Sequence, residues 1–149
     1  MDKDKEIECW HYEGKCLETA PEGWYGFIYS IRDDKGWYYF GKKAFVHAQK
    51  KVLSKKARAA SDNPRVRVSR GTKDSGWLDY WGSCKPLLAY IAERGSTQGF
   101  HREIIKLCRD KQSLAYWETD LLIRNGVLWN DKCWNGNVAA KYFKGKIHL

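Results

Sequence analysis

Two tyrosines, a cluster of lysines and one glutamate carry the reactive groups of this chain. Tyr29 and Tyr39 flank Arg32-Asp33-Asp34-Lys35-Gly36, which is turn chemistry with Gly36 able to supply a positive φ. If those five residues form the loop, Ile31 pairs with Trp37, and Tyr29 lies opposite Tyr39. The two phenols then share one face, about 5 Å apart at Cβ. Gly41-Lys42-Lys43 follows at once, placing cations beside the phenols. Glu118 is four residues after Leu114 and three and four before Leu121 and Leu122, so helical spacing aims its carboxylate along an apolar face. An unpaired buried carboxylate is costly and needs a cation or hydrogen bonds. The same spacing also suits a border residue that reaches solvent or pairs with a nearby lysine.

The elements that must position these groups can be read from the same pattern. Residues 25–31 and 37–41 are rich in aromatic and β-branched types and read as a hairpin. Ile7 to Tyr12 reads as an edge strand, and Glu13-Gly14 and Pro21-Glu22-Gly23 as turns. Phe45, Ala48, Val52 and Leu53 recur near helical spacing, so the pattern predicts an amphipathic helix over 44–60, ended by Ser61-Asp62-Asn63-Pro64. Arg65-Val66-Arg67-Val68 reads as a short basic strand or ordered loop, and Gly71 to Gly76 as a polar loop. A helix over 85–93 is flanked by Pro86 and Gly95. A third strand is expected over 100–107 with Phe100, Ile104 and Ile105 buried. A further helix over 113–125 takes Ser113 as N-cap and Gly126 past its end, with Leu114, Trp117, Leu121 and Leu122 on one face.

At 149 residues the chain is long enough for one domain with a real core. Hydrophobic residues at 43% and charged ones at 30% suit a globular protein rather than a disordered one. The net charge of +9 is concentrated: from Lys42 to Lys73 there are eleven Lys/Arg against a single Asp62. That density is an electrostatic footprint for a polyanion, most simply nucleic acid, although a solvated face would look the same. Lys42, His47, Lys51, Lys55, Lys56, Arg58, Arg65, Arg67 and Arg70 are the candidate nucleic-acid contacts. No apolar run approaches the roughly 18 residues needed to span a bilayer. The charged N-terminus lacks a signal-peptide core. A cytoplasmic protein is expected, with no membrane partner. Five scattered cysteines, Cys9, Cys16, Cys84, Cys108 and Cys133, suit a reducing compartment better than a disulfide framework. Cys9, His11 and Cys16 are of zinc-ligand type, but no C-x2-C pair accompanies them.

Phe27-Ile28-Tyr29 and Tyr39-Phe40-Gly41, with nine residues between the tyrosines, resemble the paired motifs of the GIY-YIG nucleases. Phe27 stands for the Gly of the first motif and Phe40 for the Ile of the second. Tyr80-Trp81-Gly82-Ser83-Cys84 and Phe100 to Ile105 are similar to a Y-x-G-S-x … N-F-x-x-E-I-L progression in phage members, and the likeness runs from about Gly26 to Asn137. The resemblance implies an α+β fold: a small central antiparallel sheet of about three strands flanked by helices. The nuclease domain is expected over 25–140, with an N-terminal extension over 1–24, a basic insertion at about 55–76 and a basic tail over 141–149.

The resemblance further implies hydrolysis of DNA phosphodiesters with Mg2+ or Mn2+ on Glu118, leaving 5′-phosphate and 3′-hydroxyl ends. Asn135 matches the Asn that closes the family's site, with Asn137 as an alternative and an ordinary Asn-Gly turn as the plain reading. Tyr29 would act as general base or orient the attacking water, with Tyr39 holding it. A free phenol has a pKa near 10, so this role asks for depression by nearby cations. The family's Arg after the second motif is absent. Lys43 and Lys50 are the candidates for its place, without the bidentate fork of Arg, and His47 is a candidate for proton transfer. With so little chain after Asn137, specificity would come from the basic insertion, a homo-oligomer or a partner. A phage-encoded enzyme would work in the host cytoplasm. The rival reading is a non-catalytic nucleic-acid-binding protein on a degenerate nuclease fold, its aromatics stacking on single strands.

Overall fold

Large apolar and aromatic side chains clothe both faces of one central strand, and the rest of the fold is layered around it. The computed structural model describes residues 9–60, 65 and 68–148, with only the backbone described at 49–52 and 68–70. The strands are β1 (Trp10–Tyr12), β2 (Lys15–Leu17), β3 (Gly26–Arg32), β4 (Tyr38–Ala44), β5 (Val46–Val52), β6 (Val68–Asp74), β7 (His101–Cys108), β8 (Asn137–Val138) and β9 (Tyr142–Phe143). The helices are α1 (Lys55–Ala59), α2 (Lys85–Arg94) and α3 (Lys111–Arg124).

The main sheet has the order β2-β1-β7-β3-β4. β1 runs parallel to β7, while β3 is antiparallel to both β7 and β4. The expected sheet of about three antiparallel strands is therefore a mixed sheet of five. The two extra strands come from the N-terminal extension, where Glu13 (φ 51) and Gly14 (φ 80) make a tight two-residue hairpin turn. Trp10 enters the core completely, and its Nε1 donates to the Trp77 carbonyl at 2.6 Å.

One face of the sheet buries Trp10, Phe27, Tyr29 and Ile31 under Phe45, Trp77 and Leu87 of α2. On the other face Ile28 and Phe40 pack beneath Leu114 and Leu122 of α3. The sheet is thus covered on both sides; β2 and β4 are its edge strands, and residues 132–135 hydrogen-bond to the Tyr38–Phe40 end of β4.

Several local expectations change. Residues 46–52 do not form a helix but pair with residues 68–74 as a two-stranded ribbon, from Val46 opposite Asp74 to Val52 opposite Val68. Helix is confined to the short α1, capped by Ser54. The loop expected at 71–76 is strand as far as Asp74. α3 is capped by Asp110, whose Oδ1 accepts from Ser113 N at 2.7 Å, so Ser113 is not the cap. Trp117 lies outward, with Lys106 Nζ 4.4 Å above its ring. Ile105 is 44% exposed because β7 bulges there: Ile28 faces Lys106 and Tyr29 faces Ile104. Cys9 and Cys16 form a disulfide, where five free cysteines were expected. The hairpin brings their Cα atoms to 5.7 Å, inside the usual range for a bridge.

Candidate active site at the edge of the sheet

The β3–β4 register differs from the simplest reading by two residues. Tyr29 faces Gly41, and Tyr39 faces Ile31, because the five-residue loop is 33–37. Asp33 sets this loop: its Oδ1 accepts from Lys35 N at 2.9 Å and from Trp37 N at 2.8 Å. A slip of two preserves side-chain parity, so both phenols still share a face. They sit diagonally, with ring centroids 6.2 Å apart.

The register gives Gly41 its purpose. The Tyr29 phenol lies across β4 directly over Gly41, and a Cβ there would collide with the hydroxyl and its ring carbon. Bare backbone at 41 therefore leaves room for the phenol of a core tyrosine to lie across the edge strand. Gly82, in the left-handed region at φ 88, covers both phenols from above: a Cβ there would stand 3.2 Å from Tyr39 Cε1 and 3.5 Å from Tyr29 Oη.

Glu118 approaches the same edge from the opposite face. α3 packs on β3 and β4, so a residue one turn from Leu114 and Leu122 points to the rim of β4. Its carboxylate is 17% exposed and lies 3.9 Å from Lys42 Nζ. That is an ion pair but not a hydrogen bond. Burial raises the Glu118 pKa, and Lys42 only partly opposes this. Glu118 and Lys42 line a cleft of about 700 Å³ together with Tyr39, Ser83, Trp134 and Asn135. The site thus wraps around an edge strand, with phenols on one face and the acid on the other.

Asn135 is buried, and its amide is fully engaged by β4: Oδ1 accepts from Phe40 N at 2.9 Å, and Nδ2 donates to Phe40 O at 2.8 Å. It completes the edge strand at Phe40 as a neighbouring strand would. Asn137, the alternative, lies in β8 and accepts from Ala140 N at 2.9 Å.

The two phenols have environments opposite to the one a general base needs. Tyr29 is 1% exposed, and burial first, then Tyr39 and Tyr80, hold its pKa well above 10. Tyr39 is pushed up to about 12, chiefly by burial and against a hydrogen bond with Ser83. Both are protonated at neutral pH. Lys43 stands on the phenol face, Nζ 4.1 Å above the Tyr80 ring, and burial lowers its pKa. Lys50 and His47 are in β5, on the separate ribbon, rather than on the helix expected over 44–60. Lys55 and Lys56 are exposed on α1, Arg58 half-buried there, and Arg65 is exposed in a turn. For Lys50, Lys51 and Arg70 only the backbone is described, and Arg67 lies outside the described residues.

Tyr80 and Ser83 are the groups that carried no assigned role in the sequence. Tyr80 hydrogen-bonds Tyr29 edge-on, with centroids 6.0 Å apart, and Ser83 bonds Tyr39. Their signal was the Tyr80 to Ser83 motif itself. The segment is held from below by Arg102, buried between Trp10 and Trp81. Its Nη1 donates to the carbonyls of Leu78 at 3.0 Å and Tyr80 at 2.8 Å.

Residues 10–147 match the family model described as putative endonuclease segE, GIY-YIG domain. The chain belongs to the GIY-YIG family. The match spans nearly all of the chain, including β1, β2 and the C-terminal β8–β9 pair. Neither the curated proteins nor the solved structures yield a match to this chain. Among the described residues no helix is long and apolar enough to cross a membrane.

The family's single-carboxylate site can be tested against the donor set here. Among the described residues Glu118 has one ion-pair partner, Lys42, at a distance that leaves its oxygens available. Mg2+ characteristically takes one or two carboxylates, keeps several waters and completes its shell with substrate phosphate oxygens. One nearly buried acid at the mouth of a roomy cleft fits that pattern.

Proposed function

We propose that the protein is a metal-dependent endonuclease that hydrolyses DNA phosphodiester bonds at the β4 edge. The observation that carries this reading is the placement of Glu118, a largely buried acid aimed at the same cleft as Tyr39 and flanked by Lys42. A protein that only binds nucleic acid has no use for an acid held there against its own desolvation cost.

Glu118 would hold Mg2+ or Mn2+, which when bound supplies Lewis-acid stabilisation to a phosphate oxygen. Lys42 and Lys43 supply the positive charge that draws a phosphate to the edge, as point charges rather than a fork. Tyr39, kept protonated, donates from its hydroxyl to orient the attacking water, while Ser83 holds that hydroxyl. Tyr29 takes a supporting part: its buried phenol props Tyr39 and bonds Tyr80. Asn135 is a positioning residue acting through the Phe40 backbone. The site assembles from one chain and needs no second copy.

The β5–β6 ribbon supplies the DNA contacts in this reading, through His47, Lys51 and Arg70 with Lys55, Lys56, Arg58 and Arg65 near its end. A two-stranded ribbon has dimensions a major groove admits. The deciding experiment is cleavage of supercoiled plasmid with Mg2+ and with EDTA. Wild type should nick in an EDTA-sensitive manner, and Glu118→Ala should not. Equal cutting by both would end the proposal, and DNA binding without any cutting would favour a non-catalytic binder.

A further inference from the structure

We propose that, when the Cys9–Cys16 bridge is reduced, the β1–β2 hairpin becomes a zinc-class metal site formed by Cys9, His11 and Cys16. One ligand atom from each of the three residues lies within 4.8 Å of the others. His11 Nε2 is 3.8 Å from Cys9 Sγ. The arrangement follows from the fold: β1 pairs with β2 so that His11 faces Cys16, and Cys9 lies two residues before His11.

Three further observations favour an ion over a hairpin cross-link alone. The Nδ1 of His11 is buried and has no hydrogen-bond partner among the described residues, so the 3.8 Å contact of Nε2 with Cys9 Sγ satisfies only one of the two ring nitrogens. The His11 ring is held in place by the ring of His101, stacked on it at 4.5 Å. Two thiolates and a neutral imidazole also form a soft, charge-matched set for Zn2+, leaving the fourth position to solvent. The site is remote in chemistry from the Glu118 cleft, so it does not depend on the nuclease reading. It is coupled to the core by Trp10, which lies between two of the ligands in sequence and packs edge-on against Tyr29 with centroids 5.0 Å apart.

The chemistry balances simply. A dithiol reductant transfers two electrons and two protons to the bridge and closes to its own disulfide, leaving two thiols on the hairpin. Binding of the ion then releases both thiol protons to solvent.

The test uses the full chain, reduced with excess dithiol, freed of reductant without air and titrated with Co2+ and then Zn2+. Expected are a sulfur-to-cobalt charge-transfer band saturating at one ion per chain, its loss on adding Zn2+, and a higher melting temperature for the zinc-loaded form. X-ray absorption of that form should show two sulfur neighbours at about 2.3 Å. Cys9→Ser and Cys16→Ser should abolish the band. His11→Asn should weaken Zn2+ binding by at least the roughly 10–100-fold that even outer-sphere changes cost. Absence of the band in reduced wild type, its survival in both serine variants, or unchanged affinity in His11→Asn would each overturn the proposal.

Discussion

A carboxylate shielded from water with one lysine at arm's length is a liability to the fold, and Glu118 is such a group. Burial raises its pKa, so folding penalises its ionised form. For an acid shifted this way, stability is greatest below the unfolded pKa and falls as pH rises through the folded one. Glu118→Gln should therefore raise the melting temperature at neutral pH while lowering plasmid cleavage by on the order of 100-fold or more; a less stable or fully active variant would contradict the site. The same shift sets the acid limb of the pH–activity profile. Because only the ionised acid holds a cation, cleavage should rise with pH through a midpoint above the ordinary glutamate value. No further rise is expected from the phenols below pH 10, since both are shifted upward. The two tyrosines should separate: Tyr39→Phe should slow cleavage by roughly 100-fold, in the range of positioned proton-handling groups, and Tyr29→Phe by much less. The motif likeness gives Tyr29 the leading part and Tyr39 the holding one, the reverse of what their burial supports. Depth decides between them, and depth depends on what covers the strand.

At the scale of the element, the edge strand β4 is a device with two supports. Gly41 leaves room for the Tyr29 phenol, and Asn135 occupies the backbone groups of Phe40 that would otherwise face water or another chain. Gly41→Ala should cost about 1–3 kcal/mol by overpacking, read by urea unfolding, and should displace Tyr39 enough to lower activity. Asn135→Ala leaves a buried N–H and C=O unsatisfied, with a cost of about 1–3 kcal/mol. The hairpin itself was legible from alternation and turn residues, and its phenol parity survives the two-residue slip that Asp33 imposes. The ribbon was not legible. Phe45, Ala48 and Val52 fit helical spacing, yet strand 46–52 owes its state to hydrogen bonds with 68–74, partners no local window contains. Short apolar spacings are ambiguous in this way, and distant pairing decides them.

Taken whole, the molecule is a sheet covered on both faces, with a basic ribbon that follows its edge strand β4 in the chain. Binding of duplex DNA should weaken steeply with salt, the logarithmic slope giving about 0.9 per phosphate neutralised. Shortening the ribbon should reduce that slope while leaving the fold intact, as measured by titration at several salt concentrations. The N-terminal segment belongs to the same structural unit as the core: Trp10→Ala should cost about 3–5 kcal/mol, a loss that a detached extension would not show. The sequence by itself determined the local facts: which residues are charged, that a tyrosine-bearing hairpin and a late helix form, and the motif likeness that names the family. Those follow from periodicity and side-chain chemistry along a few consecutive residues. Only the tertiary structure decided that acid and phenols meet around the rim of a single strand from opposite faces. The upward pKa shifts, the parts played by Tyr80, Ser83 and Gly82, and the pairing of Cys9 with Cys16 were also decided there. The physical reason is that burial, desolvation and contact depend on which distant segments close over a residue.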